Sequence, residues 1–236
     1  MASRDRPLLA VLIDADNIPA KYAQAVMKEI TSLGEPGLRR VYGDWSSGQL
    51  RGWSDKVLEL GLVAHQETAN TKGKNASDIG LVIDAMDVLH TGKFDAFVLV
   101  SSDSDFTRLA SRIREEGLEV IGIGEGKAPE SLRNVCNRFI MIENIVDEPQ
   151  PEQGGRSASK KQKPQDALPL ILRAMERMDQ DDEWYALGAL GSQIVAQAPD
   201  FDTRTYGKRK LSDLVREIKR LETQMQGTQM MVRRVD

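Results

Sequence analysis

The chain has one cysteine, two histidines and few aromatic residues, 5% of its 236 positions. Cys136 alone cannot close an internal disulfide. With only His65 and His90 beside it, a Cys/His zinc centre lacks ligands. Long apolar runs are missing too: the longest, Leu8–Ile13, falls far short of the roughly 18–20 residues a membrane helix needs. The opening segment is charged from Arg4 and reaches Asp14 and Asp16 early, unlike a signal peptide. These absences lead us to expect a cytoplasmic protein with no membrane partner, whose chemistry comes from carboxylates. A catalytic metal would then be Mg²⁺ or Mn²⁺ rather than zinc.

What is present is ordinary in amount and uneven in distribution. A hydrophobic fraction of 40% with 29% charged residues suits a folded chain. The net charge of −4 arises within residues 1–146, where 17 basic face 21 acidic residues. Residues 203–236 hold 9 basic against 4 acidic residues, a local +5. A weakly acidic chain therefore still offers a basic segment to nucleic acid.

Residues 1–146 alternate apolar, β-rich runs with helical patterns. The runs Leu8–Ile13, Leu38–Tyr42, Leu62–His65, Ala96–Val100, Glu119–Ile123 and Arg138–Ile142 are expected strands. Pro19–Leu33, Gly48–Leu60, Ser77–Leu89, Asp105–Glu116 and Pro129–Cys136 are expected helices, with Ser77 a candidate N-cap. Near-continuous Val/Ile/Leu strands separated by helices predict an α/β fold, a parallel sheet covered on both faces. Residues 147–164, rich in Pro, Gly, Ser, Gln and Lys, cannot bury a core and read as a flexible linker. Residues 165–236 form a second domain. It has expected helices Ala167–Met178, Glu183–Ala198 and Arg204–Met225 and a β-like tail Gln229–Val235, which suits a winged helix-turn-helix.

Ligands of open parallel sheets bind beyond the carboxyl ends of the strands, and that is where the acids gather. Asp14 and Asp16 end the first strand, and Asp103 and Asp105 follow the fourth. Asp78 starts a helix after Lys72 and Lys74, a basic stretch that either meets a phosphate or is simply a solvated loop. A lone Asp at a helix start is ordinarily a cap. Acids ending two buried strands of one sheet have no packing role, and their repulsion calls for a cation or a proton. Asp84 and Asp87, further along the helix of Asp78, are expected to face elsewhere. Arg108 either approaches the acids or pairs with Glu115. Trp45 and Trp53 suit loop packing better than base stacking. Gly122–Gly126 lacks the residues of a phosphate loop and reads as a turn.

Three segments, LIDADN (12–17), KNASDIGLVIDAMD (74–87) and VLVSSDSDFTRL (98–109), resemble the NYN domains, in particular the LabA-like group of PIN-like nucleases. The resemblance covers about residues 6–145. It implies a metal-dependent ribonuclease in which Asp14, Asp78, Asp103 and Asp105 are the metal ligands and Asn17 completes the catalytic set. Asp16 shares the first loop, and Ser102 stands beside the third acid.

Residues 165–236 contain WYALGALG (184–191) and FDTRTYGKRKLSDL (201–214), and resemble the OST-HTH/LOTUS domain. That resemblance implies RNA binding, including structured or G-rich RNA, with a protein partner as a further possibility. Lys208, Arg209 and Lys210, expected on the third helix with Arg216, Lys219 and Arg220 after them, are the candidate contacts. Lys72, Lys74 and Arg108 are the candidates in the first domain. The leading expectation is a ribonuclease whose substrate is tethered by the second domain. Two alternatives stand beside it: a catalytically inactive RNA-binding regulator that keeps the metal site, and, ranked below, a phosphatase using Asp14 and Asp16.

Overall fold

The computed structural model describes residues 5–66, 76–146, 161–178, 180 and 182–235. It divides into two compact units, residues 1–146 and 147–236. In the first unit, strands β1 (Leu8–Asp14), β2 (Glu35–Gly43), β3 (Val63–Gln66), β4 (Ala96–Val100), β5 (Glu119–Gly124) and β6 (Arg138–Met141) alternate with helices. These helices are α1 (Ala23–Leu33), α2 (Arg51–Glu59), α3 (Ala76–His90), α4 (Thr107–Glu115) and α5 (Glu130–Val135). The strands pair in the order β3-β2-β1-β4-β5-β6, and every pairing is parallel.

The alternation of side chains along β1 creates two cores. Leu9, Val11 and Ile13 point into one, with Val26, Met27 and Ile30 of α1 and Trp53 of α2. Ala10 and Leu12 point into the other, with Leu81, Ala85 and Val88 of α3, Leu109 and Ile113 of α4, and Leu132 of α5. Because both faces are covered, β4 and β1 up to Ile13 are apolar throughout, which is why they read as unbroken runs. Each fully buried Leu, Val or Ile contributes roughly 1.5–3 kcal/mol from transfer out of water. The indole N–H groups of Trp45 and Trp53 donate to the carbonyls of His65 and Ile18, each at 2.9 Å. Trp45 packs the loop after β2 against the core, whereas Trp53, on α2, lies within the core itself.

The expected elements of this unit form within a few residues of their predicted ends. Ser77 is not the cap of α3, because the helix already includes Ala76. Gly122 lies in β5, within the expected strand, and β5 runs on through Gly124, which is therefore not in a turn. At Gly124 a Cβ would stand 2.5 Å from the Ser101 carbonyl oxygen and 3.0 Å from the Phe139 ring. Glycine is there because the backbone after β4 comes too close for a side chain.

The second unit holds α6 (Leu168–Arg177), β7 (Tyr185–Ala186), α7 (Leu187–Gln197), α8 (Leu211–Glu217), β8 (Leu221–Gln226) and β9 (Gln229–Arg234). The strands form an antiparallel sheet in the order β7-β9-β8. Ile171, Ala174, Leu190, Ile194, Leu214, Val215 and Val232 make its core. This is the expected small helical domain with a β wing, but its third helix is much shorter than predicted. Residues Thr203–Tyr206 form one 3-10 turn, ended by Gly207 in the left-handed region at φ 73°. Leu221–Met225, expected to be helical, lies in β8 and pairs with β9 instead. Lys208, Arg209 and Lys210 therefore lie in the segment before α8, not on a helix. Residues 147–160 of the expected linker lie outside the described residues. Its end is bound to the second unit: the Gln162 N–H donates to the Thr205 carbonyl at 2.9 Å.

Replacing Gly124 with Ala forces a methyl group against the Ser101 carbonyl. Chemical denaturation should show a loss of about 1–3 kcal/mol, the range for an overpacked interior. Unchanged stability would mean that β4 and β5 part freely at this rung.

Candidate active site at the carboxyl edge of the sheet

The strand order reverses between β1 and β4: one successor of β1 runs outward on one side, and β4 begins the run on the other. A sheet of this order leaves a crevice beyond the carboxyl ends at the reversal, because the two connections leave in opposite directions. Asp14 is the last residue of β1, and Ser101, Ser102 and Asp103 follow β4. The parallel register sets Ile13 beside Val100, so these two chain ends emerge next to one another.

A chain of hydrogen bonds joins them. Asp14, 3% exposed, accepts from the Ser101 hydroxyl at 2.8 Å and from the Asn17 N–H at 3.1 Å. The same Ser101 oxygen accepts the Asp103 N–H at 3.1 Å. The Asn17 side-chain carbonyl accepts the Ser102 N–H at 3.0 Å, and the Ser102 hydroxyl accepts the Glu125 N–H at 2.8 Å. Asn17 thus fastens the loop after β1 to the loop after β4. Asp103 caps the 3-10 turn Ser104–Phe106 by accepting the Asp105 N–H at 2.9 Å, and that turn leads into α4. Asp78 reaches the edge from the first turn of α3.

One carboxylate oxygen from each of Asp78, Asp103 and Asp105 lies within 4.8 Å of the others. Asp14 does not join the trio at that distance; its two oxygens are engaged by Ser101 and Asn17. Oxygens bound to one octahedral Mg²⁺ at ~2.1 Å stand about 3.0 Å apart when adjacent and about 4.2 Å apart when opposite, so side-chain movements on the order of an ångström bring the three oxygens to an ion. All-carboxylate donors are hard ligands of the kind Mg²⁺ and Mn²⁺ take. The residues present fit such an ion.

The electrostatics are those of crowded acids. Burial raises the Asp14 carboxyl to about 7, with Asp78 and Asp16 adding repulsion and the Ser101 and Asn17 bonds opposing the rise. Burial also raises Asp78, reinforced by Asp103, Asp105 and Asp16. Asp44, at the end of β2, moves the other way because Ser46 and Gln66 donate to it. The Asp14 carboxyl is thus half-protonated near neutrality until a cation or another positive group approaches.

The remaining expected residues are dispersed. Lys72 and Lys74 lie outside the described residues. Arg108 is exposed on the first turn of α4, and Asp87 is exposed on α3. Asp84 faces β2, where it accepts from the Arg40 guanidinium and the Tyr42 hydroxyl. In the second unit Lys208 pairs with Glu217, while Arg209 and Lys210 are exposed. Ser101 is the residue that sequence reasoning passed over. The sign of it was there: a hydroxyl placed directly after a buried strand and two residues before an acid.

The sequence model of the NYN domain matches residues 8–143, more than half of the chain. The chain belongs to the NYN domain family. These domains are part of a nuclease superfamily. The model of the OST-HTH/LOTUS domain matches residues 159–232, so the two follow one another in the expected order. Comparison with curated proteins finds no match. Among solved structures, the chain is similar to a protein of unknown function from Vibrio parahaemolyticus, with a TM-score of 0.52 and 21% identity. That match covers 62% of this chain and 98% of the other, and at this identity it speaks for the fold alone. A likeness to MurG of Acinetobacter baumannii has a TM-score of 0.38 and 13% identity, over 90% of this chain and 70% of the other. It is too distant to carry an argument. Among the described residues of the NYN chain, no helix is long and apolar enough to cross a membrane.

The Asp14 carboxyl makes the metal-free protein pH-sensitive. Its proton is held near pH 7 in the folded state but leaves near 3.8 when the chain is unfolded. Between those values the folded state binds more protons, so stability is full below about 4 and falls as pH rises toward 7. The three-unit difference sets an upper bound of about 4 kcal/mol. Melting curves without metal from pH 4 to 7.5 should slope downward in the wild type and much less in Asp14→Asn. Identical slopes would assign the effect to another group.

Proposed function

We propose that this NYN protein is a metal-dependent ribonuclease, in which Asp78, Asp103 and Asp105 hold a Mg²⁺ or Mn²⁺ ion and Asp14 completes the acidic site. The observation that carries the reading is the meeting of three carboxylates from two separate elements at the reversal of strand order, within 4.8 Å of one another. Bound there, the ion supplies a Lewis acid for a phosphodiester oxygen and lowers the pKa of a coordinated water.

The chain's own residues do the positioning. Ser101 donates to Asp14 and accepts from Asp103, so a single hydroxyl fixes the spacing of acids from two strands. Asn17 belongs to this framework; its side chain holds the Ser102 N–H, and its backbone holds Asp14. Asp14 keeps or releases a proton at its carboxyl near neutral pH, so its charge follows the local positive charge. Phe106, 1% exposed, anchors the turn that carries Asp103 and Asp105 in the apolar core.

RNA as substrate is supported by the companion OST-HTH/LOTUS domain and its basic segment. Phosphate contacts from Arg209, Lys210 and the neighbouring Arg216, Lys219 and Arg220 supply affinity without sequence preference. Covalent joining of the two units raises the effective concentration of bound RNA near the acids.

Purified protein incubated with labelled RNA and DNA should cut RNA with Mn²⁺ or Mg²⁺ and not with EDTA. Asp103→Asn should lose about a hundredfold or more of the activity while still binding RNA, since a ligand is lost and the fold is kept. RNA bound but uncut with every metal would favour the inactive regulator. Cleavage surviving EDTA would remove the metal from the reaction.

A second measurement addresses the tether. Replacing Lys208, Arg209 and Lys210 with Ala should weaken RNA binding and flatten its salt dependence. The slope should fall by roughly 1–2, at about 0.7 for each phosphate of a single strand that the protein no longer neutralises. An unchanged slope would move the binding surface elsewhere.

A further inference from the structure

The acid trio draws on two places in the fold. Asp103 and Asp105 share one turn and are fixed to one another by the N–H of Asp105. Asp78 arrives on α3, so its place depends on how that helix lies over the sheet. The apolar face of α3 (Leu81, Ala85, Val88 and Leu89) shares a core with Ala10, Leu12 and Tyr42. Apolar burial is non-directional: it holds a helix down without choosing its rotation or its slide.

The directional contact is polar. Asp84 turns one carboxylate oxygen to the Arg40 guanidinium and the other to the Tyr42 hydroxyl. Both partners stand on β2, and Tyr42 is the buried residue opposite Asp14 in the β1–β2 register. A charge-assisted bond with two partners fixes orientation as well as distance. Asp84 stands outside the trio of metal-ligand geometry, and its task is different.

We propose that Asp84 is a positioning residue: through Arg40 and Tyr42 it locks the rotation and slide of α3 over β2 and so sets Asp78 against Asp103 and Asp105. The inference rests on the metal reading above. Asp84 lies six positions beyond Asp78, about 9 Å along a regular helix and about 120° around it. Asp84 therefore acts at a distance, and a stiff helix carries a slide at Asp84 to Asp78 nearly undiminished. The same contact ties α3 to the rung of β2 that pairs with Asp14, so the acids on α3 and β1 share one frame.

The test is the Mn²⁺ affinity of the full chain by calorimetry, read beside the melting temperature without metal. Asp84→Asn keeps the shape and removes the charge; its affinity should fall about tenfold or more, as when a group that orients a ligand is lost. Tyr42→Phe should lose less in the same direction. The double variant should be no worse than Asp84→Asn, because both act through one contact. If Asp84→Asn does not fold, Tyr42→Phe, which lacks only a hydroxyl, carries the same test. Val88→Ala, on the same helix, should melt lower from the cavity alone and keep wild-type Mn²⁺ affinity. Wild-type affinity in Asp84→Asn, with Asp78→Asn impaired, would overturn the positioning role and leave the metal reading standing. An equal loss of affinity in Val88→Ala would reduce Asp84 to a stability role. A wild type that binds no Mn²⁺ would sink the metal reading and this inference together.

Discussion

The pairing of β1 with β4 is the contact on which the site depends. The two strands are separated by more than eighty residues, yet Leu9 to Ile13 lie beside Ala96 to Val100 in a continuous parallel register. Everything after them emerges at one edge: Asp14 on one side, Ser101 to Asp105 on the other. A slip of one residue would turn the apolar side chains of β4 to the wrong faces and carry Ser101 away from Asp14. The register is held by two cores at once, since alternate residues of both strands are buried in opposite directions.

That pairing has an electrostatic cost, because it brings Asp14, Asp78, Asp103 and Asp105 to one edge. The hydroxyl of Ser101 and the backbone N–H groups of Asn17 and Asp105 orient carboxylates there but carry no net charge to cancel theirs. At Asp14 burial, reinforced by the neighbouring acids, raises the carboxyl and favours its protonated form. A divalent ion answers the same repulsion from outside. Four carboxylates gathered at one edge are therefore a cost to the stability of the fold, a trade typical of sites built for function.

Polar side chains of the first unit serve as fasteners between its elements. Ser101 and Asn17 fasten loop to loop, and Asp84 fastens helix to strand. Close backbone approach completes the arrangement at Gly124, where the Ser101 carbonyl leaves no room for a Cβ. The second unit follows a simpler scheme, three short helices and a hairpin over one apolar core, with its basic residues at the surface.

Much of this was legible in the sequence. Unbroken Val/Ile/Leu runs between helical patterns determine a two-faced parallel sheet, because only strands covered on both sides are apolar at every position. Acids directly after two such runs determine that a carboxyl edge carries charge. The limits of sequence reading appear at particular residues. Leu221–Gln226 is composed of residues that tolerate a helix, and only pairing with β9 makes it a strand. Gly124 looks like part of a turn until Phe139 and the Ser101 carbonyl occupy the space a Cβ would need. The four acids look equivalent in a line of letters, yet the fold gathers Asp78, Asp103 and Asp105 and engages Asp14 with Ser101 and Asn17. Local composition decides which segments are strands or helices, since burial pattern and propensity act over a few residues. Distances between carboxylates from separate elements depend on strand order, register and helix placement, and these are decided only when the whole sheet packs.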